Sequence, residues 1–167
     1  NHMSYSQRIK AFLSFAHAAK NKASALQGDV VFATSTPLTI AIPAVFTARK
    51  LKIPMIFEVR DLWPEVPIAM GALNNPALQF AAKRLERWAY KNAATVVALS
   101  PGMKQGVVNT GFSAAKVAVI PNSSDNSEFV HNKASAAQFR AQRPWLGDDP
   151  LLVYTGTFGK VNGVGYM

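Results

Sequence analysis

Cysteine is absent from this 167-residue chain. That absence removes disulfide frameworks, thiolate zinc sites and cysteine nucleophiles, and nothing here needs an oxidising compartment. Histidine is scarce: His2, His17 and His131 show no metal-ligand spacing and no H-E-x-x-H. No Asp-x-Asp pair is available to carry a divalent ion with a diphosphate. There is no G-x-S-x-G elbow, so a serine hydrolase has no support. The longest apolar-rich stretch, residues 38–46, is interrupted by Thr39 and Pro43, well short of the ~20 residues that span a bilayer. The N-terminus, Asn1-His2-Met3-Ser4, lacks the basic-then-apolar build of a signal peptide.

Acid is the other shortage. Nine Asp+Glu face 18 Lys+Arg, leaving a formal net charge of +9. A basic balance suits nucleic acid, an anionic membrane face or a phosphorylated ligand, and charge alone does not rank them. The acids are clustered: Glu58, Asp61 and Glu65 form one group, Asp125 and Glu128 a second, Asp148 and Asp149 a third. Hydrophobic residues make up 49% of the chain and charged residues 16%, enough apolar matter to bury a core and exclude intrinsic disorder.

Periodicity orders the chain. Ile9, Phe12, Leu13, Ala16 and Ala19 form one helical stripe. After Gly28 a short apolar strand is predicted over 29–34, then a helix over 38–51, with Pro43 tolerable only near its first turn. Pro54 opens a strand over 55–59, and Gly71, Asn74, Asn75 and Pro76 mark a loop. A helix over 76–92 has the stripe Leu78, Ala81, Ala82, Leu85, Trp88 and Ala89, with Lys83, Arg84, Arg87 and Lys91 making the remainder basic. Strands over 95–99 and 116–120 flank a helix from Pro101 to near Gly111. A helix over 134–142 and a strand over 151–155 follow, then a glycine-punctuated run to Met167. Strand–helix alternation with wholly apolar strands predicts parallel βαβ units, a doubly wound Rossmann-like sheet with helices on both faces. Ligands bind such sheets outside the carboxyl ends of the strands. That directs attention to the polar segments beginning at Ser35, Arg60, Ser100, Pro121 and Gly156.

The run 57–65, F-E-V-R-D-L-W-P-E, is the most unusual. Period two puts Glu58 and Arg60 on one side of a strand end and Asp61 on the other. An arginine between carboxylates can hold them ionised, ready to accept a hydroxyl proton or orient a sugar, with Trp63 offering an apolar face. The same residues suit a structural Arg–carboxylate network that pins a loop, with Trp63 in the core, and on residue types alone that reading ranks first. The run 156–163, G-T-F-G-K-V-N-G, can bring backbone close to phosphate. It fits neither G-x-G-x-x-G nor the P-loop, and an ordinary glycine-rich turn accounts for it as well. The basic face of the 76–92 helix is either a solvated face or a membrane-surface patch.

In their order and spacing, "DVVFATSTPLTIAIPA", "IPMIFEVRDLWPE", "LERWAYKNAATVVALSPGM", "KVAVIPNSSD" and "LVYTGTFGKVNGVGYM" resemble a family 4-type glycosyltransferase of the GT-B architecture. The resemblance is greatest to bacterial enzymes that build surface polysaccharides such as O-antigen and colanic acid. It covers essentially the whole chain, and E-V-R-D-L-W-P-E is its most specific part.

The resemblance implies two Rossmann-like domains with a cleft between them, the first taking the acceptor and the second the nucleotide-sugar. Residues 1–147 correspond to the later part of the acceptor-side domain. Residues 148–167 correspond to the start of the donor-side domain. The family's opening strand and glycine-rich loop and its paired donor-site glutamates are not in these residues, so the chain is expected to be an internal fragment, inactive alone. By position, Asp61 and Arg60 fall where relatives place cleft-facing catalytic groups, while Glu58, Trp63 and Glu65 shape the acceptor side. Gly156, Gly159, Lys160 and Gly163 match the loop beneath the donor diphosphate. Asn122 and Asp125 match a P-N-G-[VI]-D segment in which Ser123 replaces the glycine. The implied enzyme is a retaining hexosyltransferase with a nucleotide-sugar co-substrate, no metal and no other cofactor. Its partners are a sugar or lipid-linked sugar acceptor and an anionic membrane surface, not nucleic acid. Its expected location is cytoplasmic, peripheral at the inner face of the plasma membrane. Two rivals rank below it: a basic nucleic-acid-binding α/β domain, supported only by the charge, and a non-catalytic nucleotide-binding module, which leaves E-V-R-D-L-W-P-E unexplained.

Overall fold

The computed structural model describes residues 5–158 and 162–166. The chain divides into two compact units, Asn1–Asn122 and Ser123–Met167.

The first unit carries α1 (Tyr5–Ala23), β1 (Val31–Thr34), α2 (Ala41–Leu51), β2 (Met55–Val59), α3 (Glu65–Ala69), α4 (Pro76–Asn92), β3 (Thr95–Ala98), α5 (Pro101–Asn109) and β4 (Val117–Val119). The four strands form one parallel sheet in the order β1-β2-β3-β4, with helices around it. The core draws on alternate strand residues: Ala33 from β1, Met55, Phe57 and Val59 from β2, Val96 and Ala98 from β3, Val117 from β4. The alternate row is less evenly covered: Val97 is buried, Ile56 half-buried, and Phe32 59% exposed.

Local chemistry explains the helix boundaries. Asn75 caps α4 by accepting from the amides of Ala77 and Leu78 (2.9 and 3.2 Å), with Pro76 at the first helical position. Ser100 caps α5 in the same way, accepting from Met103 N at 3.2 Å, with Pro101 next. The helix predicted over 38–51 is split, a 3-10 turn at Leu38–Ile40 preceding α2. Starting α2 at Ala41 places Pro43 in the first turn, where its missing N–H costs nothing. α3 was not expected. Glu65 in its first turn complements the helix dipole.

Two predicted stripes face differently from the expectation. Phe12 and Leu13 of α1 are exposed, while Ala16 is buried. In α4 the inward residues are Glu86, Ala89 and Tyr90, with Leu85 and Trp88 half-buried, whereas Leu78 is exposed. Tyr90 earns its place through two rings, Phe57 and Phe112, each 6.1 Å away by centroid.

In the second unit α6 (Lys133–Ala141) is capped by Asn132, which accepts from Ser135 N at 3.0 Å. Arg140 donates to the carbonyls of Gly147 and Asp149 (2.6 and 2.9 Å). The strand predicted over 151–155 does not form: no described residue pairs with it, and Leu152 and Val153 are exposed. An apolar run without a ladder partner has nothing to make it a strand.

The segment after β2 is keyed into the next βα unit. Leu62 lies against Gly106 of α5, where an added Cβ would stand 2.6 and 2.8 Å from Leu62 Cδ1 and Cδ2. Gly106→Ala therefore displaces Leu62, a flexible partner. The gain in helix propensity, about 1 kcal/mol, offsets most of the overpacking cost. The expected outcome is a melting temperature within a few degrees of wild type with a shifted Trp63 emission, read in a Trp88→Phe, Trp145→Phe background. Unchanged emission would count against the keyed arrangement.

Candidate active site

Parallel register sets the first contact. Thr34 and Glu58 are direct partners across β1 and β2, so their side chains leave the same face. Thr34 Oγ1 donates to Glu58 Oε2 at 2.6 Å. One step beyond the strands, Ser35 N donates to Glu58 O at 2.8 Å, continuing the ladder. The buried Ser35 hydroxyl accepts from Arg60 N at 3.0 Å. Thr36 Oγ1 then donates to Asp61 Oδ2 at 2.9 Å. The segment T-S-T at the end of β1 thus grips the segment E-V-R-D at the end of β2 by three side-chain hydrogen bonds and a backbone one. The peptides Thr36–Pro37 and Trp63–Pro64, which follow these two segments, are cis.

Each predicted residue has a place. Glu58 is half-buried, and Arg60 and Asp61 are exposed at the shared carboxyl edge of the sheet. Trp63 is half-buried against the core. Glu65 is exposed at the start of α3. The expected arginine–carboxylate network is not what pins this loop. Among the described residues no ion pair joins Arg60 to Glu58 or Asp61; neutral hydroxyl donors hold both carboxylates. The reason is register: threonines one and three places along a neighbouring strand end reach the acids directly, and Arg60 is left facing solvent. Ser35 and Thr36 were flagged by sequence only as part of a segment worth searching, since hydroxyl residues after a strand are common, and Thr34 was read only as the end of the strand.

In the second unit, Gly156 lies beside the Tyr154 ring, with 2.7 Å from a notional Cβ to the hydroxyl. Tyr154 Oη and Asn162 Nδ2 both donate to Thr157 O (3.1 and 2.6 Å). Gly163 adopts φ 59°, a conformation that favours glycine. Gly159 and Lys160 lie outside the described residues. Asp125 accepts from the hydroxyl and amide of Ser127, and these hydrogen bonds hold its carboxyl below the usual range. Among the described residues no three His, Asp or Glu side chains converge as a metal site.

Glu86 was missed by sequence. It is 4% exposed, and Tyr90 Oη donates to its Oε1 at 3.1 Å. Burial pushes its carboxyl up to about 7; Glu65 adds to the rise, while the Tyr90 hydrogen bond, Arg87 and Lys83 oppose it. Burial and the neighbouring Glu86 push Tyr90 upward as well. The signal was available: with Ala82, Leu85 and Ala89, Glu86 completes an i, i+3, i+4, i+7 inward set. A folded-state pKa raised above 4.5 means that the native protein binds more protons than the unfolded chain between about 4.5 and 7. This group therefore makes stability fall as pH rises through that window. Glu86→Gln should flatten that fall in denaturant titrations made at successive pH values. Equal slopes for both proteins would contradict it.

Residues 3–123 match the model of the glycosyl transferase 4-like domain. No curated protein sequence matches the chain. Among solved structures it is similar to Anabaena Alr3699/HepE in complex with UDP and glucose. That match has 18% identity and a TM-score of 0.57, over 77% of this chain and 32% of that one. The same protein in complex with UDP-glucose gives 16% identity and a TM-score of 0.53, over 81% and 33%. At such identities the likeness is one of fold, and the chain spans about a third of the length of these structures.

Proposed function

The chain belongs to the glycosyl transferase 4-like domain family, and from that membership we propose that it provides the acceptor side of a glycosyltransferase. The protein would move a sugar from a nucleotide-sugar to a hydroxyl acceptor. The observation that carries this is the pair of threonine-held carboxylates, Glu58 and Asp61, at the carboxyl edge of a parallel sheet. That edge is where open α/β sheets take ligands.

In this proposal Asp61 accepts the hydrogen bond of the attacking acceptor hydroxyl and orients it. Glu58, three residues earlier and fixed within β2, binds a neighbouring hydroxyl. Arg60, free of the two carboxylates, reaches for charge developing on the leaving group. Trp63 and Glu65 bound the acceptor pocket. Glu58, Asp61 and Glu65 suit this edge to acceptor hydroxyls, and the donor diphosphate is held by a separate donor-side domain and meets Arg60 only as it leaves. Residues 148–167 with Gly156, Gly159, Lys160 and Gly163 open that donor side, and transfer requires the remainder of a donor domain. HepE was solved with UDP and with UDP-glucose, which supports a uridine-type nucleotide-sugar as the donor class to assay first. The acceptor is a lipid-linked sugar in bacterial surface-polysaccharide synthesis, the mechanism is retaining, and the enzyme works at the anionic inner face of the plasma membrane without a resident metal.

Asp61→Asn keeps the Thr36 hydrogen bond, because an amide oxygen also accepts, but removes the charge. In the protein carrying both domains it should lower turnover at least about a hundredfold with little change in melting temperature. Radiolabelled sugar transfer measures it, and near-normal turnover would sink the role given to Asp61.

A further inference from the structure

Glu86 is an acid on the side of α4 that faces the core, in one inward row with Ala89 and Tyr90. Tyr90, one turn on, donates to its Oε1 at 3.1 Å. The Tyr90 ring lies between Phe57 and Phe112, which fixes where that carboxyl sits. Lys83 and Arg87 are the cations beside it; both are exposed, and among the described residues neither forms an ion pair with it. A carboxyl buried without a cation holds its proton, and burial pushes this one up to about 7. An acid kept only to accept from Tyr90 gives nothing that a glutamine would not, and it costs more to bury.

The opposing charge comes from α3. Glu65, in the first turn of that helix, works against ionisation of both Glu86 and Tyr90. Two carboxyls in one neighbourhood carry a single charge more readily than two. α3 is also easily displaced, being five residues long with none of them buried. It continues directly from the site segment: Val66 N donates to Leu62 O at 3.0 Å and Ile68 N to Pro64 O at 3.1 Å. A push on Glu65 is therefore passed to residues 60–64, Arg60 and Asp61 among them. We infer that Glu86 is a proton-operated positioning residue for this segment: neutral, it lets α3 seat residues 60–64 at the sheet edge; ionised, it repels Glu65 and displaces them. In linking that movement to transfer, the inference rests on the acceptor-side reading above.

Two measurements test it. Trp63 emission against pH is read in this chain, in the Trp88→Phe, Trp145→Phe background, and transfer against pH in the protein carrying both domains. Emission should shift with a midpoint near 7. Glu86→Gln still accepts from Tyr90 and should abolish the shift. Tyr90→Phe removes a hydrogen bond that favours the ionised form and should move the midpoint up. Glu65→Gln removes the opposing charge and should move it down. A residue that only supports the fold would leave both midpoints where they were. Transfer should fall about tenfold from pH 6 to pH 8, the loss of protonated fraction for a group titrating near 7. Glu86→Gln should keep its pH 6 rate across that interval, and melting curves matching at pH 6 establish folding. Wild-type emission that ignores pH, or an unchanged transition in Glu86→Gln, overturns the inference. Transfer with the same pH profile in both proteins refutes the positioning role and leaves the acceptor-side reading standing. An emission transition abolished by Glu86→Gln, in a protein that transfers no sugar, upholds the proton-driven movement and removes that reading.

Discussion

Because β1 to β4 run parallel and in one continuous order, every strand delivers its carboxyl end to the same edge. Segments far apart in sequence meet there. Thr34 and Glu58 are twenty-four residues apart yet direct partners across the sheet. Each further contact at the edge extends this alignment by a residue or two: Ser35 to the Arg60 amide, Thr36 to Asp61. The core beneath serves the same constraint. Phe57 and Val59, two strand residues flanking Glu58, are fully buried and leave the acid little freedom to turn inward. A carboxylate that alternates with such residues faces the other side of the sheet as a matter of period.

What holds the acids also sets their electrical character. A hydroxyl donor orients a carboxylate without cancelling its charge. The edge therefore stays negative in a protein that is otherwise strongly basic, and the acid-poor composition becomes intelligible. Few carboxylates are present, and three of the nine lie in one short run at this edge. Four of the eighteen basic residues stand exposed on α4, whose own acid is buried against Tyr90. Opposite signs are thus parted between a sheet edge and a helix face.

The strands and most helices were legible in sequence because their signals are local. Unbroken apolar runs predicted β1 to β4 within one or two residues, and Asn75-Pro76 and Ser100-Pro101 announced the starts of α4 and α5. Facing was less legible. Leu78 and Glu86 exchange the roles that hydropathy assigns them, because the burial of Tyr90 between Phe57 and Phe112 rotates α4 and draws the acid one turn earlier inward with it. The stretch 151–155 has strand composition, yet a ladder is a property of two segments and no described residue supplies the second. At the site, the acids were legible as an unusual cluster. Their partners were not, since a threonine's hydrogen bond across a register of parallel strands leaves no trace in the spacing of either segment.

Gly106 carries a consequence beyond its own helix. Its missing side chain is the slot that receives Leu62, so the position of the segment bearing Asp61 depends on an atom that is not there. Loops that bind ligands usually vary freely between related proteins. The segment 60–64 is bound to α5, four elements further along, and changes in its length or shape must be matched at residue 106. A survey of variants restricted to polar, exposed positions would pass over that residue. Yet any side chain placed there acts on the carboxyl edge of the sheet from behind, as a wedge whose size sets how far the segment moves.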